Sequence, residues 1–545
     1  MNNDRGIFNV VKIRSILEKL IYNEKYDTIE LSMSCSNIGA RKNRNIRDHL
    51  LVINSILQEV SEDSSKNIDI GIYDVKKCYD KLWFKETAND FYDAGVKDDN
   101  FVLVTNANRN CQVAVKTPWG STSKRTLLQE IEMQGTVLTS LKCSVQIDSL
   151  GKDCLKNKKK KDNLYKYLGV VSIPPLSMVD DILTVSEAGS KSIKMNATVQ
   201  SKIDVKKLEL GQSKCFKMNI GDKDELVNTK LMIHGEEMKT TKREKYLGDI
   251  LSNDGKIDET IKDRFNKGIG VVNQILSILK EISFGSYYFE MALQFRSSML
   301  LNGILFSSEA LIGINDKHVD MLEECDLMLM RHIFETPSGT PKESFYLETA
   351  SIPIRFVLIG RRILFLWSIL QKSQSELVKQ VYQAQRMFPF KKSWASIVWN
   401  DMKNCNINLT EEEISKMKKG KFKTLVKKRI RLKSNEFLLK LQANHTKSIN
   451  LDILEEPQEY LESEELTTAE KKLLFRLRSR MVDIKSNFKA KFKDDLLCTF
   501  CKKKEETQRH LMECETVQNE LNLDNSVKAD DIFKDIKHQI KALKG

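Results

Sequence analysis

The sequence lacks the features that define several classes of protein. It contains no uncharged run of about 18 residues, so no membrane-spanning segment is predicted. The N-terminal residues lead into an amphipathic pattern rather than the apolar core of a secretory signal peptide. The 11 cysteines are scattered, and neither a small disulfide framework nor an internal repeat is visible. We therefore expect an intracellular protein in a reducing compartment.

The composition is that of a basic globular protein. The chain has 545 residues, of which 41% are hydrophobic and 30% charged, which predicts about two to four domains with sizeable cores. Lys and Arg exceed Asp and Glu by 88 − 75 = 13, and the excess gathers in residues 156–161, 416–433 and 485–504. A polyanionic partner, nucleic acid before membrane, is one explanation of these runs. Solvated helix faces are the other.

Two adjacent carboxylates stand in the segment 174–185. Asp180 and Asp181 lie between short apolar, β-branched runs, which places them at or beside the turn of a hairpin. Neighbouring ionised carboxylates repel each other unless one is protonated or a divalent cation lies between them. Magnesium, which prefers oxygen ligands, is the simplest explanation. An ordinary turn is the alternative, because Asp is common in turns.

A third carboxylate ends a predicted strand. Ile68, Ile70 and Ile72 alternate with less apolar residues, and the same parity reaches Asp74. The residues that follow, 75–83, are predicted to turn into a helix. Tyr79 could then form the wall of a small pocket beside Asp74, or simply belong to the core.

Further segments bear on the site. The loop Ser34–Asp48 is rich in Arg and Lys and suits phosphate or template contacts, although a plain surface loop is equally consistent with it. Gly135 precedes a predicted helix, Leu141–Leu150, and allows close approach of the backbone to a ligand. A second helix is predicted over Met195–Leu210. The segment Gly211–Met218 is predicted to be a turn that leads into a strand.

Three carboxylates at strand ends match the needs of two-metal nucleotidyl transfer. Two magnesium ions about 3.5 to 4 Å apart stabilise the attacking 3′-oxygen and the leaving pyrophosphate. Positioning and charge neutralisation supply most of the catalysis.

A cluster of three Cys and one His occurs near the C-terminal end. Cys498, Cys501, His510 and Cys514 are separated by two, eight and three residues, in a chain with only 7 His. Thiolates and imidazole in such a cluster suit a tetrahedral structural zinc ion. Ordinary buried cysteines are the alternative.

The order of these features resembles the successive palm motifs of reverse transcriptases, most closely those of non-LTR (LINE-like) retrotransposons. The segments that carry the resemblance are Tyr73–Asp80, Gln134-Gly135, Met178–Asp181, Lys214 and Tyr246–Gly248. They cover roughly residues 30 to 255, and the Cys/His cluster is similar to the terminal zinc knuckle of the same polymerases.

The resemblance implies roles for the catalytic residues. Asp74, Asp180 and Asp181 would bind two magnesium ions, and Lys214 would lie near the pyrophosphate. The zinc ligands of the knuckle would be Cys498, Cys501, His510 and Cys514.

It also implies roles in substrate binding. Tyr79 resembles the aromatic gate that clashes with a ribose 2′-hydroxyl and so selects deoxynucleotides. Gln134 and Gly135 resemble the turn that contacts the nascent base pair and the template. The primer grip would consist of Tyr246, Leu247 and Gly248.

The chain departs from the family pattern in three places. Met178 stands where the family usually has an aromatic residue, and Cys78 stands where it usually has Ala. No convincing fingers motif with a nucleotide-binding Arg precedes residue 30. The third departure suggests a short N-terminus or a truncated polymerase.

The sequence therefore predicts an α+β protein with a right-hand polymerase palm, partial fingers, a helical thumb and a C-terminal zinc knuckle. The predicted segments are 1–65 (partial fingers and basic loop), 66–255 (palm), 256–400 (thumb), 401–490 (basic helical connector), 491–520 (knuckle) and 521–545 (tail).

The predicted activity is that of an RNA-directed DNA polymerase, which extends a DNA 3′-end on an RNA template in target-primed reverse transcription. RNA template, DNA primer and deoxynucleoside triphosphates would be its partners, with no membrane, in nucleus and cytoplasm. No nicking endonuclease is evident. A degenerate or truncated retroelement-derived nucleic-acid-binding protein and an intron maturase are the alternatives, and the Cys/His cluster argues against the maturase.

Overall fold

The architecture is that of a computed structural model of the chain. It describes residues 12–106, 112–114, 116–117, 120–121, 126–127, 132, 135–221, 229–282, 287–445, 448, 451–482, 484–488, 492 and 495–521. The described chain is α+β, as predicted.

Helices account for most of the regular structure. The labelled helices are α1 (Lys12–Ser32), α2 (Ile46–Glu62), α3 (Phe84–Asp93), α4 (Asp98–Asn106), α5 (Thr139–Lys156), α6 (Lys158–Lys161), α7 (Ser190–Val205), α8 (Asp258–Glu281), α9 (Tyr288–Phe295), α10 (Leu301–Ile304), α11 (Asp316–Phe334), α12 (Lys342–Glu348), α13 (Ile354–Leu370), α14 (Leu377–Met387), α15 (Trp394–Asn404), α16 (Glu411–Lys416), α17 (Lys419–Ala443), α18 (Glu459–Glu462) and α19 (Thr468–Arg478). Two helices, Gln508–Glu513 and Glu515–Leu521, follow. Among the described helices, none combines the length and apolar composition that a membrane crossing requires.

The strands are short and lie in the first half of the chain. They are β1 (Ile68–Asp74), β2 (Gln112–Val113), β3 (Lys116–Thr117), β4 (Gly120–Ser121), β5 (Thr126–Leu127), β6 (Tyr165–Tyr167), β7 (Val171–Ile173), β8 (Leu176–Met178), β9 (Asp181–Glu187), β10 (Phe216–Ile220), β11 (Met232–Ile233), β12 (Glu236–Glu237), β13 (Lys239–Thr240), β14 (Arg243–Tyr246) and β15 (Asp249–Ser252).

The chain divides into two compact units. The first contains residues 1–259, 310–313 and 368–399, and the second contains residues 260–309, 314–367 and 400–545. All the described strands lie in the first unit.

A five-stranded sheet organises the first unit, with strand order β13-β10-β1-β9-β8. Its four strands from β10 to β8 are antiparallel to their neighbours within that set. Helix α5 precedes the β8–β9 hairpin, and α7 connects β9 to β10. This succession of β1, α5, β8, β9, α7 and β10 is the split β-α-β arrangement, in which both helices cover one face of the sheet.

The sequence explains which face of the sheet is covered. Tyr73 of β1 pairs with Ile182 of β9, and both are buried against Ile147 of α5 and Val199 of α7. Because side chains alternate along a strand, Asp74 lies on the opposite face from Tyr73. The β1 strand therefore ends with its carboxylate away from the helices.

Two helix predictions need correction. Residues 75–83 contain only a short 3₁₀ turn, Cys78–Lys81, and Lys77 before it is left-handed (φ 49°). The helix predicted over Met195–Leu210 is α7, which begins at Ser190 and ends at Val205. Leu208 and Leu210 continue the apolar pattern because they pack into the same core from an irregular segment.

The second unit is helical. Stacked aromatic rings join three of its helices: Phe475 of α19 lies 4.0 Å from Phe334 of α11 and 5.2 Å from Phe345 of α12, measured between ring centroids. A buried ion pair joins Arg296 to Asp326, with Nε and Oδ1 at 2.6 Å. Because both partners are desolvated, loss of one would leave a costly unpaired charge.

Candidate active site and metal centre

The aspartate pair lies at the turn of the β8–β9 hairpin, with Asp180 in the turn and Asp181 beginning β9, which agrees with the predicted position at or beside the turn. Met178 pairs with Asp181, so only Val179 and Asp180 form the turn. Val179 has φ 60°, a left-handed conformation that is strained for a β-branched residue. The N–H of Val75 donates to the Asp180 carbonyl at 3.3 Å, which ties the turn to the end of β1.

The third carboxylate faces this turn. Asp74 is directly opposite Asp181 in the antiparallel register of β1 and β9. Directly opposed residues project from the same face, with Cβ atoms about 4.5 to 5.5 Å apart. Asp74, Asp180 and Asp181 are all partly exposed. The fold thus gathers the three predicted carboxylates at one end of the two central strands.

Lys214 lies beside Asp74. Its Nζ is 3.6 Å from Asp74 Oδ2, and its side chain is 62% exposed. The turn that carries it approaches closely, because the Gly211 N–H donates to the Asp74 carbonyl at 2.8 Å. A Cβ at Gly211 would lie 3.1 Å from Asp74 Oδ2. An exposed pair of this kind contributes at most about 1 kcal/mol, so Lys214 can exchange Asp74 for another anion.

Tyr79 packs against the apolar core that includes residues of α5. It is half-buried, and its hydroxyl is 3.4 Å from Ser140 Oγ of that helix. Burial raises the pKa of Tyr79, and the charge of Asp180 raises it further, so the phenol is neutral at physiological pH. Gly135 precedes α5 with φ 98° and is exposed, whereas Gln134 lies outside the described residues.

The predicted primer-grip residues form a hairpin turn. Tyr246 pairs with Asp249, and Leu247 (φ 47°) and Gly248 (φ 96°) form the two-residue turn between β14 and β15. Tyr246 is buried; burial and the charge of Asp181 raise its pKa. Any contact with a primer would therefore come from the partly exposed Leu247 and Gly248 rather than from the Tyr246 ring.

The basic loop lies directly against the β8–β9 hairpin, a position that the sequence alone did not reveal. The Ile38 N–H donates to the Ser177 carbonyl at 3.0 Å, and the Ser177 N–H donates to the Ser36 carbonyl at 2.9 Å. A Cβ on Gly39 would lie 2.6 Å from the Val179 backbone nitrogen. The loop therefore forms an extra edge beside β8.

A pocket of about 410 Å³ opens between this loop and the hairpin. Arg41, Lys42, Arg44 and Met178 are among its lining residues. Arg41 and Arg44 are anchored by Glu30, at 2.6 and 2.9 Å, whereas the exposed Lys42 ammonium stacks over Tyr26 at 4.3 Å from the ring centroid. Three cationic side chains therefore line the pocket, and Met178, another of its lining residues, stands two positions before Asp180 in the chain.

His49 connects the basic loop to the β14–β15 hairpin, and the sequence alone did not predict this role. Its Nε2 is 3.0 Å from the Ser36 carbonyl and its Nδ1 is 3.5 Å from the Tyr246 hydroxyl. Burial lowers the pKa of His49 to about 3, so it is neutral. No local pattern marks this role, because both partners are distant in sequence.

The Cys/His cluster assembles as a possible metal centre in the second unit. The ligand atoms of Cys498, Cys501, His510 and Cys514 all lie within 4.8 Å of one another. Cys501 Sγ is 3.2 Å from His510 Nε2. The Lys503 N–H, which donates to Cys501 Sγ at 3.4 Å, lowers the pKa of that thiol to about 6. Three thiols and one imidazole at such separations fit the donor set of a tetrahedral zinc site.

Secondary structure holds these ligands in place. Cys498 follows an isolated bridge between Leu497 and Glu505, and its N–H donates to the Lys504 carbonyl at 2.7 Å. Thr507 caps the helix that carries His510, accepting the His510 N–H at 3.0 Å.

Solved structures, but neither family models nor curated proteins, include chains that are similar to this one. No protein-family model matches the chain, and no curated protein is similar to it. Among solved structures, it is similar to apo telomerase from Candida tropicalis, at 12% identity and a TM-score of 0.35 over 71% of this chain and 61% of that one. It is also similar to telomerase from Candida albicans in complex with a fragment of telomeric RNA, at 13% identity and a TM-score of 0.31 over 60% and 55%.

The overlap with these structures is partial. The chain spans 44% to 61% of the length of the telomerase chains that it matches.

Proposed function

We propose that the protein is an RNA-directed DNA polymerase of the non-LTR retrotransposon type. One observation carries the proposal: Asp74 and Asp181 are opposed on neighbouring strands, and Asp180 adjoins them in the turn. The order of sequence motifs supports the retrotransposon assignment. Target-primed synthesis would require access to chromosomal DNA, so we also propose that the protein acts in the nucleus after synthesis in the cytoplasm.

In the proposed reaction, Asp74, Asp180 and Asp181 would hold two magnesium ions. Bound there, the ions would neutralise charge on the attacking and leaving oxygens. The primer 3′-hydroxyl oxygen would attack the α-phosphorus of a deoxynucleoside triphosphate and release its proton to solvent water. A new phosphodiester bond forms as the bond to pyrophosphate breaks. Lys214, released from Asp74, would neutralise charge on the departing pyrophosphate.

Other residues would position the substrates. The neutral, half-buried Tyr79 would exclude a ribose 2′-hydroxyl, and Gly135, with Gln134 before it, would approach the nascent pair. The cationic pocket beside Met178 suits phosphates of the template or the incoming nucleotide. The Leu247-Gly248 turn would contact the primer.

The four Cys/His ligands would hold a structural zinc ion. Its proposed role is to fix the turn at Cys498–Cys501 against the helix Gln508–Glu513, because so small a segment contains little apolar surface of its own.

The assignment is tested by removing the paired charges. Primer extension on an RNA template with magnesium is measured for the parent, for Asp180→Asn/Asp181→Asn and for Asp98→Asn/Asp99→Asn. The second variant changes an exposed pair of adjacent aspartates on α4 and alters net charge equally. We expect extension to be lost only in the first variant. Retained extension there would refute the site, and an inactive parent would favour the non-catalytic nucleic-acid-binding alternative.

A further inference from the structure

A lysine-rich segment that the polymerase proposal does not use forms one exposed face of helix α17. Between Glu413 and Glu436 the chain has 22 residues, of which 10 are Lys or Arg and none is acidic. Most of this segment lies in α17. The excess of positive charge is therefore concentrated in one continuous segment of the chain.

The packing of α17 determines which side is free. Its buried residues recur every fourth position, and they are Phe422, Val426, Ile430, Ser434, Leu438 and Gln442. Gln442 Nε2 donates to the Ser448 and Leu451 carbonyls at 2.7 Å, which anchors the C-terminal end. Ile430 packs against Gly360 of α13, where a Cβ would lie 3.4 Å from it. The helix is thus held along one side.

A regular row of cations flanks the buried side. Lys419, Lys423 and Lys427 are exposed and stand four residues apart. At 1.5 Å of rise per residue, successive ammonium groups are about 6 Å apart along the helix axis. Lys418, Lys421 and Lys428 are also exposed.

None of these six lysines forms an ion pair in the described part of the chain. By contrast, the lysines at the two margins are paired: Lys416 contacts Glu412, and Lys433 contacts Glu436 at 2.7 Å. The first turn of α17 contains no acidic residue and no side-chain cap. Positive charge there opposes the helix dipole, which makes the unbound face electrostatically unfavourable.

We propose that the Lys419/Lys423/Lys427 row binds the phosphate backbone of a base-paired nucleic acid. The proposal does not rest on the polymerase assignment, because binding requires neither magnesium nor nucleoside triphosphate. Phosphate contacts by lysine position a duplex without reading its sequence.

The exposed face favours this partner over two others. A membrane-surface helix presents its apolar side to lipid, but the apolar side of α17 is buried within the protein, and only Leu432 and Leu439 are exposed. Single-strand binding requires exposed aromatic side chains on which bases stack. Within residues 418–428 the one aromatic residue, Phe422, is fully buried, and the nearby Trp367 is partly buried, with its indole N–H donating to the Met417 carbonyl at 3.0 Å.

The test measures binding of the full, zinc-loaded chain to a blunt-ended duplex of random sequence, without magnesium, at a series of salt concentrations. The variant is Lys419→Gln/Lys423→Gln/Lys427→Gln. The control is Lys280→Gln/Lys317→Gln/Lys403→Gln, which neutralises three exposed lysines on three other helices and lowers net charge equally. Thermal melting of each variant establishes that it is folded.

We expect the plot of log affinity against log salt to be shallower by about 2.7 in the α17 variant, because each phosphate that a lysine no longer neutralises lowers the slope by about 0.9. Over a fourfold rise in salt, the parent should then lose about 40 times more affinity than the variant. The control should keep the parental slope.

Three results would overturn the proposal. One is an unchanged slope in the α17 variant, and another is an equal change in the control. The third is a larger change in slope between the parent and the α17 variant with a single strand of equal length, or with vesicles of phosphatidylserine, than with the duplex.

Discussion

Single residues decide the electrostatics of the site. Two ionised carboxylates about 5 Å apart repel by about 3 kcal/mol at an effective dielectric of about 20. Asp74 and Asp181 are directly opposed on neighbouring strands, which places their Cβ atoms about 4.5 to 5.5 Å apart, and Asp180 is adjacent. The exposed ammonium of Lys214 offsets at most about 1 kcal/mol of that repulsion. A divalent cation is the partner that balances three carboxylates, which is why their register supports a magnesium site.

Tyr79 provides a prediction about sugar selection. Tyr79→Ala should lower the ratio of deoxynucleotide to ribonucleotide incorporation by about tenfold or more, because removal of a steric contact of this size is worth about 1 to 3 kcal/mol. Tyr79→Phe keeps the ring and removes only the hydroxyl that lies 3.4 Å from Ser140 Oγ. Its selectivity should match that of the parent. Kinetics of single-nucleotide incorporation measure this ratio for both variants. An unchanged ratio in Tyr79→Ala would show that Tyr79 does not select the sugar.

His49 provides a prediction about pH. Its folded pKa, about 3, lies below the ordinary value of 6.5, so the unfolded chain binds a proton first as pH falls. The neutral ring is therefore fully stabilising above pH 6.5, and this contribution is lost as pH falls towards 3. The slope is at most about 1.4 kcal/mol per pH unit. Denaturant unfolding between about pH 6.5 and 5 should show a shallower pH dependence in His49→Gln; an identical slope would contradict this assignment.

Gly39 acts at the scale of elements, because it lets the basic loop pack against the β8–β9 hairpin. A Cβ at this position would be 2.6 Å from the Val179 nitrogen and 2.5 Å from Ser144 Oγ. Backbone cannot yield as a side chain can, so Gly39→Ala should cost about 1 to 3 kcal/mol and displace the Asp180 turn. Gly270→Ala is the control, since nothing lies within 4 Å of its added Cβ.

Unfolding and primer extension are measured on both glycine variants. We expect Gly39→Ala to lose both stability and extension. A fully active, equally stable Gly39→Ala protein would mean that the loop and hairpin do not pack as described.

The Cys/His cluster yields a prediction about metal content. The parent should contain one zinc ion per chain by elemental analysis, and Cys514→Ser should reduce both zinc content and melting temperature, because metal binding contributes folding free energy. Cys405→Ser alters a buried thiol outside the cluster and should retain the zinc. Equal zinc content in the two variants would show that the cluster does not bind the metal.

At the scale of the whole molecule, the sequence was informative where the signal is local. The alternation from Ile68 to Asp74 predicted β1, and the apolar runs around Asp180 predicted the hairpin. The close spacing of the Cys and His ligands predicted their cluster. Each pattern depends on neighbours within a few residues of one another.

The remaining geometry depends on long-range packing. The contacts of Ser177 with the basic loop and of Lys214 with Asp74 join segments that are distant in sequence, and no periodicity encodes them. The predicted helix over Met195–Leu210 was too long at its C-terminal end. Leu208 and Leu210 fit the apolar pattern, but they pack into the core of the first unit from an irregular segment after α7. The roles of the predicted site residues stay predictions until activity is measured.

The central claim is tested most directly by template-directed incorporation. The folded, zinc-loaded protein is given magnesium, a DNA primer and RNA templates that differ only in the first unpaired base, with one deoxynucleoside triphosphate at a time. We predict that only the complementary deoxynucleotide extends each primer. Extension that ignores the template base, or no extension by folded protein, would contradict the account.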